Sequence, residues 1–356
     1  MPQWKLYHIW MTKLTELRPG GRVTRLRNFT WLLVGMYSAQ AVHLSKVAAK
    51  MPGLSCLPSR TRRLSRLLDN PAIQTRAWYQ PIARGILQRL AGSMVHLIVD
   101  GSKVGFGHQL LMVAVAYRRR TLPLAWTWVR TVRGHSKVSK QIALLSYVRG
   151  LLPPHTQVIL VGDAEFGEIP LEKQLNMWRW RYALRQKGRY LVKPKGKRMA
   201  QRLDSLVSKP RQRAWLPYCR LTAKHAYHVN LLAFWHIGEK EPWLLATNLD
   251  DPQAVLRCYR RRMWIEEMFG DLKGHGVDIE STQLRHFLRL SRLTLAVVLL
   301  YFWLVTFGSQ TIKSGRRRLV DRNERRDYSI FRIGWNTAER RLINNLSLHV
   351  SFDFCL

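Results

Sequence analysis

From residue 94 onward the chain is written in β-rich apolar runs, and their order restricts the fold more than any other feature. MVHLIVD (94–100), LLMVAVAYR (110–118) and LPLAWTWVR (122–130) follow one another at short spacing, the pattern of a three-stranded meander. SKVSKQIALLSYVRGLL (136–152) predicts an amphipathic helix, QVILVGD (157–163) a buried strand and IPLEKQLNMW (169–178) a second helix. Either RYALR (181–185) or RYLVKP (189–194) supplies a fifth strand. The order βββαβαβ is of the α/β class. Parallel pairing of the first and fourth strands through a right-handed crossover would lay their C-terminal ends side by side. Asp100 and Asp163 would then meet at one edge of the sheet.

The remainder frames this core. Val23 to Leu90 carries helical spacing, broken at Met51-Pro52-Gly53 and at Asn70-Pro71. Within it HLSKVAAK (43–50) and SRTRRLSRLL (59–68) read as two helices on a short connector. Leu64, Leu67 and Leu68 share one face of the second, and Arg60, Arg62, Arg63 and Arg66 another, a form suited to contacting DNA. Gly188 to Asn248 reads as a β-rich insertion, with AYHVNLLAFWH and PWLLATNL strand-like. A long helix is expected from Pro252 to about Gly274. LTLAVVLLYFWLVTF (293–307) has 15 residues where a membrane span needs roughly 20, so it is expected to be a buried core helix. A basic tail closes the chain.

Charge narrows the function. The 356 residues include 59 Lys and Arg against 22 Asp and Glu, a net charge of +37, in a chain 47% hydrophobic with 14 Trp. A balanced metabolic enzyme is disfavoured, and so is a disordered basic tail. The fitting partner is a polyanion, above all nucleic acid. Cys56, Cys219, Cys258 and Cys355 stand apart without a CxxC pair or zinc spacing, so neither disulfides nor structural zinc are expected. The N-terminus lacks the apolar core of a signal peptide, and a cytoplasmic location is expected.

Carboxylates at strand ends suit hard divalent cations, although an Asp closing a strand is more often a turn-former. The helix at 252–274 adds to them. At about 100° per residue, Tyr259, Arg262, Glu266 and Lys273 project at about 0°, 300°, 340° and 320°, on one face. The stripe joins a carboxylate, two phosphate-binding cations and a phenol, and Glu267 and Asp271 lie off it. An ordinary solvated charge stripe would look the same from composition alone.

The string YRRRMWIEEMFGDLK, with Tyr259, Arg262, Glu266 and Lys273 fixed, resembles the Tyr-Arg-Glu-Lys signature of the DDE transposases of bacterial insertion sequence family four. IVDGS around Asp100 and VGDAEFG around Asp163 are similar to the family's other acidic motifs. The resemblance covers about residues 90 to 310. Ala164 stands where many relatives are expected to have Arg. The resemblance implies a ribonuclease-H-like core, βββαβαβ-α, interrupted by the β-rich insertion. An all-helical DNA-binding domain precedes it and a basic helical C-terminal segment follows. The boundaries are then 1–91 for the DNA-binding domain, 92–187 and 249–312 for the two parts of the core, 188–248 for the insertion and 313–356 for the basic segment.

It further implies Asp100, Asp163 and Glu266 as catalytic ligands of two Mg²⁺ ions, replaceable by Mn²⁺, with Asp100 bridging. Tyr259, Arg262 and Lys273 would contact DNA phosphates. The implied reaction is cut-and-paste: 3′-end hydrolysis, hairpin formation and opening, then strand transfer. A flipped base would need a stacking surface, for which Trp215, Trp235 and Trp243 are available without distinction. His135 is left as structural. The implied partners are double-stranded DNA, as terminal inverted repeats and target, and a second copy in a homodimer on DNA. No membrane is involved, and the protein would be associated with the nucleoid. A metal-dependent nuclease or junction resolvase, a catalytically inactive DNA-binding regulator, and a basic membrane-associated protein are the alternatives.

Overall fold

In the computed structural model, residues 2–105, 107–130, 135–222, 224–322 and 324–354 are described. Cys355 and the Arg133-Gly134 pair before His135 lie outside them. The chain forms two units, one of residues 1–86, 104–106 and 269–356, the other of 87–103 and 107–268.

The first unit begins with α1 (Pro2–Leu17), α2 (Val23–Ala39), α3 (Leu44–Ala49), α4 (Leu57–Asp69) and α5 (Thr75–Arg89, which crosses the boundary). α1 lies ahead of Val23 to Leu90, the stretch read for helical spacing, and within the 1–91 segment expected to be helical. Its apolar residues Leu6, Tyr7, Trp10 and Leu14 recur at spacings of one, three and four, and all are buried. On α4 the leucines behave as the pattern demands: Leu64, Leu67 and Leu68 are buried, and Arg62, Arg63 and Arg66 are exposed.

The second unit holds one sheet. β1 (Val95–Val104), β2 (His108–Tyr117) and β3 (Arg120–Arg130) come first, then α6 (Val138–Arg149), β4 (Val158–Gly162), α7 (Ile169–Met177) and β5 (Arg181–Arg185). β6 (Leu191–Lys193), β7 (Gln201–Arg202), β8 (Arg213–Leu221), β9 (Tyr227–Phe234) and β10 (Trp243–Thr247) follow. Both candidates for the fifth strand therefore form strands. The order across the sheet is β3-β2-β1-β4-β5-β10-β9-β8-β6-β7. β4 is parallel to β1 and to β5, and β10 returns antiparallel to β5.

The residues read as an insertion thus extend the same sheet. They share a core in which Val192, Leu203, Cys219, Leu221, Val229 and Leu231 meet Ile169 of α7. α6 buries Gln141, Leu144, Leu145 and Val148, spaced by three, one and three residues, as a helix lying on a sheet must.

The helix expected from 252 to 274 is not continuous. α8 (Pro252–Tyr259) ends in a 3₁₀ turn at Arg260–Arg262, after which α9 (Met263–Leu272) resumes and runs into the first unit. Asp251 caps α8, accepting from the backbone N–H of Gln253 at 2.8 Å and of Ala254 at 3.0 Å.

α10 (Phe287–Lys313) and α11 (Ile330–Ile343) complete the first unit. α10 spans 27 residues, not the 15 of the apolar run alone; it is long and apolar enough to cross a membrane, yet its most apolar stretch is almost wholly buried. It packs with the N-terminal helices, where Trp303 meets Trp10 edge-on at 5.5 Å. The buried Arg292 guanidinium donates to Leu68 O at 2.7 Å and to Ile73 O at 3.1 Å. α10 and α11 cross backbone to backbone at two glycines. A Cβ on Gly308 would strike Ile330 O, and one on Gly334 would strike Leu304 O.

That crossing yields a test. Gly334→Ala should lower stability by about 1–3 kcal/mol, since backbone offers no side chain to move aside. Gly85→Ala, on an open face of α5 with nothing within 4 Å, should leave Tm unchanged or slightly raised. Thermal unfolding of the two variants checks this, and equal Tm values would contradict the close crossing.

Candidate active site

The register of two strands sets the first pair of acidic residues. Val99 on β1 is the partner of Gly162 on β4, so Asp100 and Asp163 occupy the next position on each strand. β1 does not end at Asp100 as expected but runs on to Val104; what ends there is its pairing with β4. Asp163 begins a turn that two glycines hold close. A Cβ on Gly162 would press on Phe166 and Val99, and one on Gly167 would strike Arg185 O. Asp163 accepts from the N–H of Glu165 at 2.9 Å, and Asp100 from the N–H of Gly101 at 2.7 Å.

Burial and mutual repulsion govern the chemistry of this pair. Asp100 is 7% exposed. Desolvation, then the Asp163 charge, pushes its carboxyl up to about 7, opposed by Arg262 and the Gly101 N–H. Asp163 is also raised, chiefly by burial, against the pull of the Glu165 N–H, Arg262 and Arg185. With Ala164 at the expected arginine position, the nearby cation on the neighbouring strand is Arg185 of β5, which draws on Asp163 through space while its guanidinium bonds Glu241 and Pro242 O, each at 3.3 Å.

The third carboxylate arrives through the broken helix. In a 3₁₀ turn residues i and i+3 eclipse, which aligns Tyr259 with Arg262 more closely than the α-helical angles suggest. Arg262 then faces both acids: Nη1 lies 3.5 Å from Asp100 Oδ2 and Nη2 lies 2.6 Å from Glu266 Oε1. Glu267 turns the other way, to Arg120 at 3.1 Å. Tyr259 lies deeper than a phosphate contact would require. It is 2% exposed, packed edge-on against Trp243 at 5.1 Å, and burial pushes its phenol up to about 12. Its hydroxyl has no hydrogen-bond partner among the described residues.

The other expected residues are placed elsewhere. Lys273 belongs to the first unit, where it pairs with Glu280 at 2.7 Å. On α4, Arg60 bonds Met51 O and Arg63 donates to Asn28 Oδ1 at 2.6 Å, leaving Arg62 and Arg66 as its freest cations. Of the three tryptophans, Trp243 is buried under Tyr259, Trp235 donates its indole N–H to Glu239 O at 3.0 Å, and Trp215 is half-buried.

A cavity of about 740 Å³ opens beside Asp163, with Arg185, Lys187, Arg189 and His135 on its wall. The sequence reading missed Arg185 and Glu165. Their only signal was nearness to Asp163 along one strand and one turn. As a donor set, Asp100, Asp163 and Glu266 offer only carboxylate oxygens, which fits a hard divalent cation and not a soft one. Among the described residues, no three acidic, His or Cys side chains converge closely enough to hold an ion, and Glu266 is paired with Arg262 at 2.6 Å. That contact is an i,i+4 pair between a buried guanidinium, 12% exposed, and a carboxylate 44% exposed, so Glu266 is the partner open to solvent.

No curated protein matches the chain. Among solved structures, the cryo-EM structure of the piggyBac transposase synaptic complex with hairpin DNA is similar, with 11% sequence identity, 98% of this chain and 83% of that chain covered, and a TM-score of 0.45. A family model described as "Transposase DDE domain" matches residues 91–303, more than half of the sequence, and the chain belongs to that family.

Proposed function

We propose that this transposase is of the kind found in bacterial insertion sequence family four, with a ribonuclease-H-like core in which Asp100, Asp163 and Glu266 hold two Mg²⁺ ions. The observation that carries the reading is that one guanidinium, Arg262, faces Asp100 and Glu266 while Asp163 lies in register beside Asp100. Bound there, the cations would supply an activated water or DNA 3′-OH and stabilise the leaving oxygen, and Mn²⁺ would substitute.

The chain's own residues do the rest. Asp100 and Asp163, held by the N–H groups of Gly101 and Glu165, keep their orientation without rearrangement. Arg262 exchanges its carboxylate partners for a DNA phosphate, a suitable task for a planar fork of donors. Arg185, Lys187 and Arg189 line the cavity through which a strand reaches Asp163. Tyr259, beneath Arg262, supports that guanidinium and meets DNA only if the site opens. Lys273 is assigned a phosphate contact by the signature alone. α3 and α4 form the DNA-reading part of residues 1–91, with Arg62 and Arg66 exposed toward phosphates. The substrate is double-stranded DNA, cut at the terminal repeats and joined to target, through hairpin ends, by a homodimer at the nucleoid.

Three measurements test this. Wild-type protein, with Mg²⁺ or Mn²⁺ and a labelled fragment carrying the element's ends, should give end-specific nicks, hairpins or joined products on a denaturing gel, and Glu266→Gln should give none. Nicking without joined products would favour a nuclease, and binding without cleavage a regulator.

Replacing Arg62 and Arg66 by Ala should weaken DNA binding and reduce the slope of log K against log salt by about 1 per residue. An unchanged slope would remove α4 from the interface.

The Asp100 carboxyl near 7 gives a pH signature in divalent-free protein. The native state keeps a proton that the unfolded chain, with an Asp near 3.9, has lost, so stability falls as pH rises from about 4 to 7. Asp100→Asn abolishes that loss. Its Tm should match wild type near pH 4 and exceed it at pH 8, by up to roughly 4 kcal/mol in stability. An equal offset at both pH values would contradict it.

A further inference from the structure

Glu165 is a buried carboxylate with no part in the reaction just described. It is 8% exposed and lines the same cavity as Asp163, two residues away. Its Oε1 accepts from the Ser136 N–H at 2.6 Å and from the Ser136 hydroxyl. Its Oε2 accepts from Gln109 Nε2 at 2.8 Å and lies 3.9 Å from His135 Nδ1. The backbone takes part as well: its N–H donates to Asp163 Oδ1 at 2.9 Å, and its carbonyl accepts from Gln141 Nε2 at 3.3 Å.

The same hub reaches the other aspartate. Gln109, on β2, presses its amide against Gly101, where a Cβ would collide with Nε2. The Gly101 N–H is the donor that fixes Asp100 Oδ1 at 2.7 Å. One continuous path therefore runs from Asp163 through Glu165 and Gln109 to the backbone that holds Asp100. A buried carboxylate is a costly means of pinning a loop, since each desolvated charge must be matched by donors. An amide or an apolar side chain would fill the space at less cost. What a charge adds is stiffness: its donors converge from β2 and from the segment before α6, and a carboxylate bonds each more strongly than a neutral acceptor does.

Resting on the transposase reading, we infer that Glu165 is a positioning residue that sets the relative placement of the Asp100 and Asp163 carboxylates for cation binding. Groups that orient metal ligands typically change metal affinity or activity by about 10–100-fold when removed.

The test is a titration of Mn²⁺ into DNA-free protein by calorimetry, beside single-turnover cleavage and DNA affinity, for wild type, Glu165→Gln and Gln109→Leu. Glu165→Gln keeps shape but turns one oxygen into a donor facing donors. It should bind DNA within about twofold of wild type, yet lose about 10-fold or more in Mn²⁺ affinity and about 100-fold in cleavage rate. Gln109→Leu cuts only the arm toward Asp100 and should lose about 3–10-fold in Mn²⁺ affinity. Folded Glu165→Gln with Mn²⁺ affinity and cleavage within twofold of wild type would overturn the inference. If that variant fails to fold, Gln109→Leu decides, and an unchanged Mn²⁺ affinity there overturns it. A wild type that binds Mn²⁺ but cuts no DNA would end the transposase reading and leave the Mn²⁺ comparison to judge Glu165. A wild type that binds no Mn²⁺ overturns both.

Discussion

Two carboxylates side by side in a protein interior repel each other where water is least able to screen them, and in this chain the β1–β4 register enforces that arrangement. The sheet cannot relieve it. Sliding β4 by one residue would bring Val161 or Asp163 to the place of Gly162, where a Cβ would press on Phe166 and Val99, so close packing at that glycine holds the register. The strain is answered by the side chains around it: backbone N–H groups of Gly101 and Glu165 aimed at the acids, one guanidinium from the helix break, and a proton held by Asp100 to about pH 7. The placing of Arg262, the shortness of the 3₁₀ turn and the glycines flanking Asp163 all take their meaning from this pair.

The helix break is the second device. A continuous α-helix would place Arg262 about 60° away from Tyr259 around the axis, whereas a 3₁₀ turn lays the two in line. With Tyr259 fixed beneath by Trp243, the turn delivers a guanidinium to Asp100 and α9 then sets Glu266 one turn on. Glu267, the adjacent acid, is taken up by Arg120 on β3. Neighbouring carboxylates thus have distinct partners, and only one of them is turned toward Arg262.

Much of this was legible in the sequence because it is local. The apolar runs ending near Asp100 and Asp163 are strand interiors, and the spacing of Arg262 and Glu266 on a helix is arithmetic. Other features depend on partners far along the chain. Nothing in Trp243–Thr247 shows that this strand will lie against β5 and join the insertion to the core sheet. Three consecutive arginines carry no signal for a 3₁₀ turn. α11 hides its buried Phe331, Ile333, Trp335, Ala338 and Leu342 in a stretch that reads as a basic tail. Arg60 is the same residue type as Arg62 and differs only in facing the connector, where Met51 O takes it. Lys273 completes the motif by spacing, but the chain has by then entered the other unit and offers it Glu280. Glu165 carries no local signal of its role because its donors lie 29 and 56 residues away.

The net charge of +37 and the chemistry of the acidic site belong to different ranges of the same force. Over the surface, salt screens charges within about 8–10 Å, so the excess of Lys and Arg acts as a broad attraction for phosphate and steers encounter. If that field ruled the interior, it would hold the aspartates ionised and their carboxyls low. The opposite holds: burial outweighs the surrounding cations and raises both. Desolvation and a few charges at contact distance therefore decide what Asp100 and Asp163 can bind, and the rest of the basic surface decides only what is brought to them.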